Sequence, residues 1–161
     1  PILNDDDYLS LTKKLSTLGT KLLKEVLDDI ILGHIVRIPQ NESEVTFAKT
    51  LTYEDEHIDF DQSSDEIINR IKGLSPEPGG YAIINEQKIK IYKVKKSDII
   101  VKEETIPGQI LKIKKQLVVK TSDGAVEIET VQLPGKKIMA AKDFLNGQNF
   151  ISENDVFKKE N

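Results

Sequence analysis

Apolar side chains first fall into a regular pattern at Leu11, Leu15, Leu18, Leu22, Val26 and Ile30, with Leu23, Leu27 and Ile31 alongside. Spacings of three and four put them on one wide stripe of a helix. Asp5, Asp6 and Asp7 stand where carboxylates favour a helix start, and Gly33 is a natural stop. Such a stripe needs a surface to lie against. The stretch from His34 to Asp61 is too poor in apolar residues to supply one, so a sheet upstream of Pro1 is the expected partner. Residues 36–62, with Pro39 and weak periodicity, read as an extended linker containing short strand-like pieces.

The helical pattern returns after Ser63. Ser63 and Glu66 form the Ser-x-x-Glu capping box, in which each side chain satisfies the other residue's backbone N–H. Ile67, Ile68, Ile71 and Leu74 give one apolar face, and Gly73, Pro76 and Pro78 end it. Beyond Gly79-Gly80 the alternation becomes that of strands. "YAIIN" and "KIKIYKVK" are the first two, and the phase of the second slips between Ile91 and Tyr92, as a bulge would cause. "GQILKIKK", "QLVVKT" and "AVEIETVQL" follow, the last two joined by a Ser122-Asp123-Gly124 turn. A tight Pro134-Gly135 turn then leads to a short helix over 140–146. Five short strands flanked by helices suggest a mainly β architecture, a small OB-like barrel over 63–155 followed by a tail over 156–161.

Composition changes this picture mainly through charge. The chain has 161 residues, no cysteine and a net charge of −4. That balance hides a polarity, with 8 basic against 16 acidic residues over 1–85 and 13 lysines against 7 acids over 86–142. Lys88, Lys90, Lys93 and Lys95 fall on one predicted strand; Lys112 and Lys114 lie on the next, and Lys136 and Lys137 follow the Pro-Gly turn. A basic half of this kind points to a polyanion. Aromatics are scarce among these lysines, so contact with a nucleic-acid backbone is expected over base stacking. No apolar run is long enough to span a bilayer, and the absence of cysteine fits a reducing, cytoplasmic setting.

Candidate catalytic chemistry is thin. His34 and His57 have no companion at metal-ligand spacing. "DFDQSSDEIINR", from Asp59, has acids at some calcium-loop positions. It carries Ser64 in place of the required glycine and Arg70 in place of the bidentate glutamate. Neither a phosphate-cradling glycine loop nor a nucleophile elbow is present.

Several stretches, taken in order, resemble the C-terminal half of the methionyl-tRNA formyltransferase family. They are the first helix with its Leu18-Gly19 pair, Pro39-Gln40, "TFAK", Ile58-Asp59-Phe60 and "INRIKGLSPEPGGY". The closing match runs from Gln132 through Pro134-Gly135-Lys136-Lys137 and Met139 to Asp143-Phe144-Leu145 and Gly147. Thr50 and Tyr53 stand where many members carry lysines, with Lys49 the nearest positive charge. Glu77 replaces a usual tryptophan. The resemblance implies that residues 1–35 are the last helix of a Rossmann-like catalytic domain and that the barrel helps to hold initiator methionyl-tRNA. It implies a parent enzyme using 10-formyltetrahydrofolate as formyl donor, with the folate site and the catalytic residues upstream. This chain alone is then expected to bind no folate, to be inactive, and to self-associate through its first helix. Two other readings stand beside it: the same module of a formyltransferase acting on a small molecule, and a free-standing OB-type interaction module.

Overall fold

A computed structural model describes residues 1–159 and divides the chain into two compact units, Pro1–Leu51 and Thr52 onward. In the first, helix α1 spans Tyr8–Ile31 and is capped by Asp7, whose carboxylate accepts from the Ser10 N–H while the Ser10 hydroxyl accepts from the Asp7 N–H. Asp6 is also engaged, accepting from the Leu3 N–H and the Ser10 hydroxyl and pairing with Lys14 at 2.7 Å. Gly33 follows the helix end, as expected. No residue of α1 is buried: Leu15, Leu18, Leu22 and Val26 all remain exposed. Residues 36–51 hold one short 3-10 turn, Glu42–Glu44, and none of the strand-like pieces expected there.

The second unit begins inside the stretch read as linker. Ile58 and Phe60 are buried in its core, and His57 forms a bridge to Tyr81. Helix α2, Ser64–Leu74, starts with the expected box: the Ser63 hydroxyl accepts from the Glu66 N–H and the Glu66 carboxylate from the Ser63 N–H. Its Ile67, Ile71 and Leu74 face the core. The strands are β1 Gly80–Ile84, β2 Gln87–Lys96, β3 Ile110–Lys112, β4 Leu117–Lys120, β5 Ala125–Gln132 and β6 Met139–Ala140, with helix α3 at Ala141–Gly147. They form one antiparallel sheet in the order β1-β2-β5-β4-β3, with β6 added to β5.

The sheet curls around Ile84, Ile89, Ile91, Leu117, Val119 and Ile128, all essentially inaccessible. Helix α2 packs against β2, and α3 closes over β5 with Phe144. The anticipated slip in β2 is present, with pairing to β5 shifting on either side of Lys93. Two expectations need correction. "GQILKIKK" keeps only three residues in a strand, because the chain turns at Lys115, whose φ is +65°; Lys114 therefore lies in a bend, not on a strand. A sixth strand, β6, also precedes α3.

The segment read as a tail has a defined course up to Lys159; Glu160 and Asn161 lie outside the described residues. Val156 bridges to Gln109 beside β3, and Lys158 bridges to Ile83 on β1. One segment thus borders both edges of the sheet, satisfying edge groups that would otherwise stay unpaired. Phe157, between them, is buried against Phe60 with ring centroids 5.0 Å apart.

Candidate nucleic-acid interface

Alternation along β1 and β2 sends Ala82, Ile84, Ile89 and Ile91 inward and leaves Tyr81, Lys88 and Lys90 on the other face. Register pairs Lys90 with Tyr81 on one side and with Gln132 on the other. The expected basic set is therefore divided by its neighbours.

Lys88 and Lys90 belong to one corner. The Lys88 ammonium sits 4.3 Å from the centre of the Tyr53 ring and 4.0 Å from that of Tyr81, and donates to the Tyr53 hydroxyl at 3.0 Å. Lys90 donates to the Pro78 carbonyl. With Gln132, Leu133, Pro134 and Gly135 these two lysines line an open pocket of about 250 Å³, with no acidic side chain among the described residues of its wall.

The turn carrying Lys136 and Lys137 is fixed to that corner. The Lys136 N–H donates to the Leu133 carbonyl at 3.0 Å, closing a β-turn with proline second and glycine third. Gly135 has φ +70°, a conformation that is strained for residues bearing a Cβ. The Gln132 side-chain amide donates to the Lys136 carbonyl at 2.8 Å, and the Tyr92 hydroxyl donates to Gln132 Oε1 at 2.6 Å. Burial, with a smaller contribution from Glu77, raises the Tyr92 hydroxyl above its ordinary range. Gly79, with φ +81°, approaches the Tyr92 ring so closely that a Cβ would lie 2.7 Å from it. Both Lys136 and Lys137 are exposed.

The other lysines have different surroundings. Lys93 pairs with Glu129 at 3.4 Å, and Lys95 with Glu129 at 3.0 Å and Glu127 at 3.3 Å. These two glutamates hold the Lys95 ammonium above its ordinary range. Lys112 donates to Gln116 at 2.7 Å, and Gln116 in turn to Glu127. Lys114 is exposed in the β3–β4 bend.

Sequence reasoning missed the aromatic part of this corner. Tyr53 and Tyr81 are 28 residues apart and stack with centroids 4.7 Å apart at 27°. His57 meets Tyr81 edge-on at 5.4 Å, with its Nε2 buried and without a hydrogen-bond partner. Tyr81 was legible only as a strand residue, and Tyr53 lay in a stretch read as linker.

A family model described as "Formyl transferase, C-terminal domain" matches residues 50–149, which contain α2, all six strands and α3. The chain belongs to this family. Methionyl-tRNA formyltransferase of Streptococcus thermophilus is 39% identical over 147 residues, covering 91% of this chain and 46% of the relative. That of Lactococcus lactis subsp. cremoris is 40% identical over 151 residues, covering 91% and 47%. The chain thus spans about half the length of the curated relatives it matches. Among solved structures, HypX from Aquifex aeolicus in complex with tetrahydrofolic acid superposes with a TM-score of 0.54 at 17% identity, over 87% of this chain and 26% of HypX. That likeness concerns the fold, a curled antiparallel sheet with flanking helices.

Proposed function

We propose that this chain is the tRNA-binding C-terminal part of a methionyl-tRNA formyltransferase acting in cytoplasmic translation initiation. The complete enzyme would transfer a formyl group from 10-formyltetrahydrofolate to the amino group of methionyl initiator tRNA, with the folate site in an upstream Rossmann-like domain. In this reading the curled sheet serves as an OB-type platform, and the exposed stripe of α1 is the surface that the upstream domain covers. Without that cover the stripe favours self-association, since burying one leucine contributes about 1.5–3 kcal/mol. The names of the relatives support the tRNA substrate over a small-molecule acceptor.

The observation that carries the proposal is the corner where Lys88 and Lys90 meet the pinned turn of Lys136 and Lys137, with no acidic side chain among the described residues of its wall. A fixed turn lowers the conformational entropy that two mobile lysines would lose on meeting phosphates. Phosphate contacts release counterions, so binding should weaken steeply with salt. Lys136→Ala with Lys137→Ala should flatten log affinity against log salt by roughly 1.4–1.8, at about 0.7–0.9 per lost contact. Lys93→Ala with Lys95→Ala should change the slope less, because Glu127 and Glu129 already offset those charges. Titration of tRNA at several salt concentrations makes the comparison. Coincident slopes for wild type and the 136/137 variant, with the fold intact, would remove these lysines from the interface.

A further inference from the structure

We infer that the Tyr53–Tyr81 stack is a platform for one unpaired nucleobase of the bound RNA, beside the lysines that take its phosphates. The inference rests on the RNA-binding reading above and adds a contact that lysines cannot make. Tyr81 is fully buried, so Tyr53 is the outer ring of the stack, and 49% of Tyr53 stays accessible. A large aromatic left half exposed on a soluble domain loses apolar burial, and its position here is held from several sides. Tyr81 supports one ring face at 4.7 Å, Lys88 fixes the hydroxyl at 3.0 Å, and the 3-10 turn Glu54–Glu56 begins at the next residue. A ring held in place this way loses little freedom when a base stacks on it.

Charge selects the kind of partner. Lys88 touches both rings and also lines the pocket formed with Lys90, Gln132 and the Pro134-Gly135 turn. A planar group on Tyr53 would therefore lie next to ammonium groups suited to the phosphate attached to it. An apolar peptide side chain would leave those cations unused. At about 250 Å³ the pocket is smaller than the roughly 300–1,000 Å³ typical of small-molecule sites. A base within a duplex is stacked on its neighbours and offers no free face, so the nucleotide must be unpaired. Base–aromatic stacking tolerates any base, so the platform should sense single-stranded character and not sequence.

The test uses the full chain and two RNA hairpins sharing one stem and one structured tetraloop whose bases are themselves stacked, one blunt and one with a short single-stranded 3′ extension. Wild type should bind the extended hairpin on the order of 5- to 100-fold more tightly, the range that one stacked base provides. Tyr53→Leu should lose most of that preference while binding the blunt hairpin as before, and Tyr53→Phe should keep it. Circular dichroism checks that each variant is folded. The inference is overturned if the extension adds nothing in wild type, or if Tyr53→Leu keeps the full preference. The RNA-binding reading survives those results so long as the blunt hairpin still binds with a salt slope that depends on Lys136 and Lys137. If neither hairpin binds at all, both fall together.

Discussion

Ser64 follows a capping residue and is itself wholly buried. Its N–H donates to Asp123 at 2.8 Å, its hydroxyl lies 2.9 Å from the same carboxylate, and Thr121 completes the group at 2.8 Å from the Ser64 hydroxyl. The start of α2 is thereby joined to the β4–β5 turn. The Ser64 backbone N–H, followed by its hydroxyl, lowers the Asp123 carboxyl from 3.8 to about 2. A carboxyl whose pKa is depressed by folding stabilises the fold while ionised, and that contribution fades as pH falls through its unfolded pKa toward its folded one. The stability difference between wild type and Asp123→Ala should accordingly be constant near neutral pH and shrink from about pH 4 toward pH 2. Thermal unfolding of both proteins across that range measures it, and a difference independent of pH would mean the carboxylate charge has no part in joining these elements.

At the scale of elements, the C-terminal segment is the one whose importance sequence pattern hides. Residues 156–158 have no periodicity, yet Val156 and Lys158 border the two sheet edges and Phe157 fills the space between them. The Lys158 N–H donates to the Ile83 carbonyl at 2.7 Å, and the Phe157 N–H to the Gly108 carbonyl at 2.9 Å. Phe157→Ala should destabilise the second unit by about 3–5 kcal/mol, the range for losing a buried phenylalanine. Chemical denaturation reads that loss, and a change below about 1 kcal/mol, typical of surface sites, would show the segment to be dispensable. Helix α1 is the opposite case. Its pattern is the most regular in the chain, and none of its residues is buried.

For the molecule as a whole, the proposed function places the folate site and the catalytic groups in an upstream domain. Displaced carboxylates such as Asp6 and Glu86 titrate below their ordinary range, and displaced lysines such as Lys95 and Lys159 above theirs. Both kinds of group are held in their charged forms by hydrogen bonds and ion pairs within the fold. On the proposed reading the chain by itself should give no formyl transfer when incubated with 10-formyltetrahydrofolate and methionyl initiator tRNA. Turnover matching a full-length relative would overturn the division of labour proposed here.

Local rules were enough for much of this protein. The capping box at Ser63 and Glu66, the stop at Gly33, the slip in β2 and the Pro134-Gly135 turn depend on residues within one or two turns of each other, so the sequence alone determined them. Order along the chain was also sufficient to recognise the family. The pairing of lysines was not legible, because whether Lys95 meets Glu129 or Lys88 meets Tyr53 depends on strand register and on which segment folds back over an edge. The same holds for Ile58, Phe60 and Phe157, which lie in stretches without periodicity and are buried because the fold brings those stretches against the core of the curled sheet. Sequence determined the helices and the course of the longer strands; tertiary structure decided where β3 ends, added β6 and set which charges are paired, since electrostatic pairing depends on distance in space and not on separation along the chain.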